Sequence, residues 1–101
     1  MTLTAAGDAT TVEVGSTLVI TGTPDKTLNP AYFAIEWSVG AETYGTISPS
    51  EGLTTTLTGV GAGAIVITGE IKQVTYVSGV RTLVSFDTPI TDTITITVTA
   101  A

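Results

Sequence analysis

The stretch TDTITITVT, residues 91–99, places a threonine at every second position and mostly isoleucine or valine between them. The stretch TLVITGT, residues 17–23, repeats this alternation, and the chain contains 23 threonines. A period of two directs successive side chains to opposite faces of a strand, so one face is buried and the other meets water. No part of the chain shows helical periodicity. The sequence therefore predicts an all-β fold.

Glycine, proline and small polar residues divide this pattern into seven predicted strands. They are residues 12–14, 17–23, 32–38, 45–48, 54–59, 64–77 and 80–98, the last with an interruption near Pro89. About seven short strands at regular spacing are typical of a two-sheet antiparallel sandwich. Because the chain has no linker and no internal repeat, we expect one domain spanning residues 1–101.

The same alternation assigns thirteen side chains to the interior of the sandwich. They are Leu18, Ile20, Phe33, Ile35, Trp37, Ile47, Leu57, Ile65, Ile67, Ile71, Ile94, Ile96 and Val98.

Composition excludes several classes of function. Nine acidic and three basic residues give a net charge of −6, which repels nucleic-acid phosphates and anionic lipids. We therefore expect neither nucleic acid nor membrane as a partner. The chain has no cysteine and no histidine, so thiolate nucleophiles, imidazole bases and the usual zinc ligands are absent. We expect no enzymatic activity and no cofactor.

The acidic residues do not have the spacing of a metal or catalytic site. Glu36 and Glu70 are predicted on outer strand faces, with no cleft between them for a glycosidase pair. The others are scattered without the D-x-D spacing of a calcium loop, and we expect them to be solvated charges. They are Asp8, Glu13, Asp25, Glu42, Glu51, Asp87 and Asp92.

Aromatic residues leave a weaker possibility open, since a platform of Trp37 and Tyr44 would suit a sugar. Trp37 lies in phase with Phe33 and Ile35, which favours a place in the core. Tyr44 and Tyr32 lie beside loops and are less constrained. Glycan binding therefore stays as a weak alternative.

Five segments occur in an order that suggests a family. They are VGSTLVITG at 14–22, IEWS at 35–38, GTIS at 45–48, LTGVGAG at 57–63 leading into IVIT at 65–68, and TITV at 95–98. Together they resemble the bacterial immunoglobulin-like domain of group 2, and the resemblance covers nearly the whole chain.

This resemblance implies an immunoglobulin-like sandwich with Trp37 buried on its third strand. Such domains are typical of intimin- and invasin-type adhesins, bacterial surface proteins, and capsid or tail proteins of tailed phages; they are not enzymes. Adhesin domains form tandem arrays, whereas this chain is a single unit. The resemblance thus favours a structural protein of a virion, either a capsid decoration or a tail-associated protein. The alternative is an adhesion module, at a bacterial cell surface or on a phage, that binds host glycan or protein.

The chain departs from this family between its last two core strands, where residues 72–91 replace a short turn. Ser78-Gly79 predicts a two-residue hairpin turn, because glycine readily adopts the positive φ that such turns need. The turn pairs Val77 with Val80 and thereby sets the register of an extended hairpin. The pairs that follow are Tyr76 with Arg81, Thr75 with Thr82, Val74 with Leu83, Gln73 with Val84, Lys72 with Ser85, and Ile71 with Phe86.

This hairpin carries the candidate protein interface, which consists of Val74, Tyr76, Arg81 and Leu83. The three uncharged members are apolar or aromatic on a face that is expected to meet water, and such patches usually mark contacts. We expect the partner to be another protein subunit, either in a capsid or tail lattice or in a small oligomer formed by self-association. The alternative is that the hairpin folds over an open end of the sandwich and buries Val74 and Leu83 within the chain.

Overall fold

A computed structural model describes residues 1–25, 29 and 31–101. A 3-10 turn at Ala6–Asp8 accompanies eight strands in this part of the chain. They are β1 (Thr2–Ala5), β2 (Thr11–Glu13), β3 (Thr17–Thr23), β4 (Phe33–Val39), β5 (Gly45–Ser48), β6 (Thr54–Gly59), β7 (Gly63–Val77) and β8 (Val80–Thr99). The predicted all-β fold is confirmed. The additional strand is β1, which the sequence pattern did not predict.

The strands form two four-stranded sheets in the orders β1-β3-β6-β5 and β2-β8-β7-β4. The chain passes from the first sheet to the second between β1 and β2, through the turn in which Gly7 and Asp8 have φ of 64° and 56°. The order corresponds to the A-B-E-D and G-F-C sheets of an immunoglobulin-like sandwich, with the first strand divided between them.

One pair of strands differs from the predicted antiparallel arrangement. β2 runs parallel to β8, with Thr11 opposite Thr97 and Glu13 opposite Thr99. The first strand of the fold is divided into β1, which pairs with β3 in the first sheet, and β2, which pairs with β8 in the second sheet. β2 continues in the direction of β1, and this is also the direction of β8. The other pairs between named strands are antiparallel.

The core lies between the two sheets and largely confirms the predicted interior. Ten of the thirteen predicted side chains are buried, while Phe33, Ile47 and Ile94 are partly buried against them. Leu3, Ala5 and Val12 join the core without having been predicted.

Trp37 is the largest side chain in this core and is 3% exposed, as predicted. Its Nε1 donates a hydrogen bond of 2.8 Å to the carbonyl oxygen of Gly52, so the indole N–H is satisfied despite its burial. Gly69 lies opposite Trp37 on β7, and a Cβ at Gly69 would lie 3.2 Å from the indole Cζ3. The absence of a side chain at Gly69 thus leaves room for the ring.

The β7–β8 pair is much longer than the strands of the opposite sheet. β7 has 15 residues and β8 has 20, whereas β1, β3, β5 and β6 have between 4 and 7. The far end of the pair therefore extends past the opposite sheet. We call residues 72–85 of this hairpin the arm.

The register of the arm is as predicted from the Val77–Val80 pair down to the Lys72–Ser85 pair. The predicted pairing of Ile71 with Phe86 is wrong, because Ile71 lies opposite Ile90. Residues 86–89 form an irregularity between these pairs, within a strand that is otherwise continuous. Pro89 lacks a backbone N–H and cannot donate a hydrogen bond to the ladder. The predicted interruption near Pro89 thus corresponds to a break in register with β7, whereas β8 itself runs through Pro89 as one strand.

Phe86 gains another partner in place of Ile71. Its ring stacks on Phe33 of β4, with centroids 5.9 Å apart and an interplanar angle of 28°. This contact fills the base of the arm at the open end of the sandwich.

Candidate protein interface

The arm ends in the two-residue turn that the sequence predicts. Ser78 and Gly79 have φ of 52° and 80°. Positive φ at both central positions defines a type I′ turn, whose twist matches that of the flanking strands. The turn therefore determines the register that brings the candidate residues together.

The four candidate residues share one face of the arm, where Val74 lies opposite Leu83 and Tyr76 opposite Arg81. Tyr76 is 66% exposed and Leu83 is half-buried, whereas Val74 is only 8% exposed. The expectation that Val74 is exposed is wrong. Val74 is buried within the chain, as in the alternative, although it lies outside the main core cluster.

The outer face of the second sheet explains how the arm is held. Residues 50–52 follow the free edge of β4, where the backbone N–H of Trp37 donates to Ser50 and that of Gly52 to Ile35. Glu51 is thereby placed beside Glu36 in an antiparallel bridge. The outer face thus carries a glutamate on β4 and another at its edge.

Arg81 of the arm forms an ion pair with Glu51. Because β7 and β4 lie between β8 and residues 50–52, this contact requires the arm to curl over the outer face of the sheet. The carboxylate of Glu51 also raises the pKa of Arg81, chiefly through the hydrogen bond. Arg81 therefore connects the curled arm to the edge of β4.

Lys72 holds the base of the arm in a second ion pair, with its Nζ 2.6 Å from Oε1 of Glu36. This hydrogen bond is the main reason that the pKa of Lys72 is raised above 10.5; burial opposes the effect, and the charges of Glu36 and Glu70 add to it. Oε2 of Glu70 is buried without a hydrogen-bond partner in the described part of the chain. The positive charge of Lys72 is the nearby compensation for that carboxylate.

A shallow cleft of about 200 Å³ lies where the curled arm meets the edge of β4. Ligand pockets usually have about 300–1,000 Å³, so this cleft is small for a ligand site. Its lining consists of Phe33, Ala34, Ile35, Glu51, Gly52, Leu53 and Arg81.

Three exposed valines that the sequence interpretation did not single out lie on the opposite face of the arm. Val77 is 63% exposed, Val80 is 64% and Val84 is 45%. We call Val77, Val80 and Val84 the tip valines. Their face continues the core face of Ile71, but the opposite sheet is too short to cover it. The alternation along the two strands could have predicted that these valines share one face. Their exposure could not be predicted in this way, because it depends on where the opposite sheet ends.

The remaining candidates lie apart from one another. Trp37 is buried, Tyr44 is half-buried against the core, and Tyr32 is 61% exposed at the start of β4. Asp92 accepts the Leu3 N–H at 2.8 Å, and Asp25 pairs with the N-terminal amine.

Acidic side chains do not form a metal-binding group in the part of the chain that the structure describes. No three histidine, cysteine, aspartate or glutamate residues there lie close enough together to hold a metal ion. Among the same residues, no helix is long and apolar enough to cross a membrane.

Comparison with known proteins adds no family. No family model matches the sequence, and no curated protein matches it. The group 2 resemblance thus continues to rest on the five segments quoted above.

Proposed function

We propose that this chain is a non-enzymatic structural module of a tailed-phage virion, either a capsid decoration or a tail-associated protein. It acts through protein–protein contacts made by the arm. The observation that carries the contact role is the exposure of Tyr76 together with the tip valines at the end of an anchored hairpin. The virion assignment is supported by the group 2 resemblance.

The anchoring of the arm supports a contact role. Lys72 is tied to Glu36 and Arg81 to Glu51, so both the base and the distal half are attached to the sandwich. A surface that is already ordered loses less conformational entropy on binding than a free hairpin does. Large exposed apolar groups at such a place usually mark a protein interface.

Two measurements test this function. Mass spectrometry of phage particles purified from the source of this sequence should detect the chain in many copies per particle. The recombinant chain should co-sediment with those particles, and the Tyr76→Ser/Val77→Ser/Val80→Ser variant should bind much more weakly while melting normally. Thr95→Ser, on the exposed face of β8 outside the arm, serves as the control. Absence of the chain from particles, or undiminished binding by the triple variant, would contradict the proposal.

The second candidate is an adhesion module that binds host glycan or protein. It is favoured by Tyr32, which is 61% exposed and whose carbonyl oxygen accepts a hydrogen bond from the arm. Exposed aromatic rings provide stacking surfaces for sugars. This function predicts that the isolated chain is retained on immobilised glycans or host cells, and that Tyr32→Ala abolishes retention without affecting particle binding.

A further inference from the structure

One edge of β8 is free along the arm. β7 lies on its other side, and β2 reaches only Thr97–Thr99 of β8. Within the described residues, no strand therefore lies beside residues 80–87 on the free edge. Unpaired strand edges are the usual sites at which another strand adds to a sheet.

The backbone hydrogen bond of Val74 indicates which residues of β8 direct their N–H and C=O groups to the free edge. The N–H of Val74 donates to Tyr32 and so faces away from β8. In an antiparallel ladder, the residue opposite then also directs its N–H and C=O away from the shared seam. That residue is Leu83, and by alternation Arg81 and Ser85 present their backbone groups to the free edge as well.

We propose that a second copy of this chain pairs with this edge, giving an antiparallel, two-fold symmetric β8–β8 dimer centred on Val84. Centring on Val84 places Leu83 opposite Ser85 of the other copy, so edge-facing groups meet each other. The same register places Arg81 opposite Asp87 twice, once on each side of the axis. The inference rests on the proposed function, in which the arm is a protein-contact surface.

Charge complementarity selects this register over its neighbours. Centring on Leu83 would place Arg81 opposite uncharged Ser85, and centring on Ser85 would place it opposite Pro89, which has no N–H. Asp87 is exposed and has no ion-pair partner among the described residues. Arg81 is paired with Glu51 but keeps 41% of its side chain exposed, so it can meet a second carboxylate.

The apolar residues fit the same arrangement. Val84 meets its own copy at the two-fold axis, and Val80 lies on the same face four residues away. The two sets of tip valines then form one strip across both arms. An isologous contact of this kind closes on itself and gives a dimer without further growth.

Light scattering after size exclusion tests the proposal on the full chain at increasing concentration. The wild type should form dimers, and Asp87→Arg should weaken dimerisation by about tenfold or more, because Arg81 then faces an arginine. Asp87→Arg leaves the Arg81–Glu51 pair in place, so the intrachain anchor is not altered. Arg81→Asp should also weaken dimerisation, because the introduced aspartate would face Asp87 of the other copy. Thermal melts check that each variant folds.

A mixture of the Arg81→Asp and Asp87→Arg variants gives the sharpest readout. The two introduced side chains would face each other across the interface, and the remaining Asp87 of one chain would face the remaining Arg81 of the other. The mixture should therefore form heterodimers when neither variant forms homodimers. Monomeric wild type at up to about 1 mM would overturn the dimer. Homodimers of Asp87→Arg as strong as those of the wild type would overturn the register.

The dimer and the proposed function can fail separately. A monomeric chain that still co-sediments with particles would overturn the dimer alone. A dimer that is absent from particles and does not bind them would overturn the virion assignment and leave the β8–β8 contact standing.

Discussion

The backbone N–H of Val74 donates a hydrogen bond of 2.7 Å to the carbonyl oxygen of Tyr32. This bond continues the β4–β7 ladder by one position beyond the Phe33–Gln73 pair. Val74 therefore belongs to the end of the sheet, and the part of the arm that projects begins after it. The candidate interface accordingly divides into a buried residue at the base and exposed residues towards the tip.

This division predicts unequal effects of truncation on stability. Val74→Ala should lower the free energy of unfolding by about 1–2 kcal/mol, because it removes two buried methyl groups and leaves a cavity. Tyr76→Ala, on the same face but 66% exposed, should change it by less than about 0.5 kcal/mol. Urea unfolding of both variants measures the difference. Equal losses would mean that the two side chains are equally packed.

We expect a side chain added at Gly69 to overpack the core beside Trp37 and destabilise the fold. A Cβ there would lie 3.2 Å from Cζ3 of Trp37 and 3.3 Å from Cγ2 of Ile35. Gly69→Ala should therefore destabilise the fold by about 1–3 kcal/mol. Gly40→Ala is the matched control, since its Cβ would meet no atom closer than 3.8 Å, and it should cost less than about 0.5 kcal/mol. Thermal unfolding compares the two, and a neutral Gly69→Ala would contradict the packing described.

We expect the stability difference between the wild type and a Lys72→Met variant to depend on pH. The pKa of Lys72 in the folded protein is raised above 10.5 by Glu36, so the charged form is favoured by folding. The contribution is fully present below pH 10.5 and is lost as pH rises through the higher folded pKa. The wild type should thus exceed Lys72→Met in stability by a constant margin at neutral pH, and the margin should shrink in strong alkali.

Chemical denaturation of both proteins over this pH range measures that margin. Other titrating groups are common to the two proteins, so the difference between them reports Lys72. A margin that grows with alkaline pH would show that the sign is wrong.

The Arg81–Glu51 pair predicts a small, salt-sensitive coupling. A double-mutant cycle with Arg81→Gln and Glu51→Gln should give a small favourable coupling at low salt, because both side chains are partly exposed to water. Added salt should reduce it. Hydrogen exchange at Thr75 and Thr82 should become faster in the single variants if the pair holds the arm. Unchanged exchange would argue against that role.

We expect the attachment of β1 to the second sheet to depend on the side chain of Asp92. Its carboxylate accepts the Leu3 N–H at 2.8 Å, in a bond between the two sheets. Asp92→Ala should cost about 1–3 kcal/mol, because the bond has a charged acceptor and the N–H would lose its partner. Asp92→Asn, which keeps an acceptor oxygen, should cost less. Denaturant unfolding distinguishes them, and equal costs would mean that the bond itself contributes little.

Much of the fold could be predicted because alternation acts locally. The period of two in residues 91–99 places Ile96 and Val98 in the core, and the Ser78-Gly79 dipeptide is sufficient to predict the hairpin turn. β1 escaped prediction because its inward side chains are only Leu3 and Ala5, and alanine is a weak strand signal. The Ile71–Phe86 pairing failed because strict alternation has no place for the irregularity at residues 86–89.

The candidate interface was only partly predictable, because alternation determines which residues share a face but not which of them are buried. Sequence placed Val74, Tyr76, Arg81 and Leu83 on one face of the arm, and the register of the structure agrees. It could not separate buried Val74 from exposed Tyr76, since the Tyr32 carbonyl that extends the sheet is distant in sequence. The exposure of the tip valines likewise depends on where the opposite sheet ends.

By itself, the sequence determined the all-β class, most of the core and the turn of the arm, because alternation and turn chemistry act between near neighbours. Only the tertiary structure decided the division of the first strand, the curl of the arm towards Glu51 and the free edge of β8. These features depend on contacts between residues far apart in the chain, such as the Arg81–Glu51 pair. Such contacts leave no periodic trace in the sequence, and they determine which surfaces remain available to a partner.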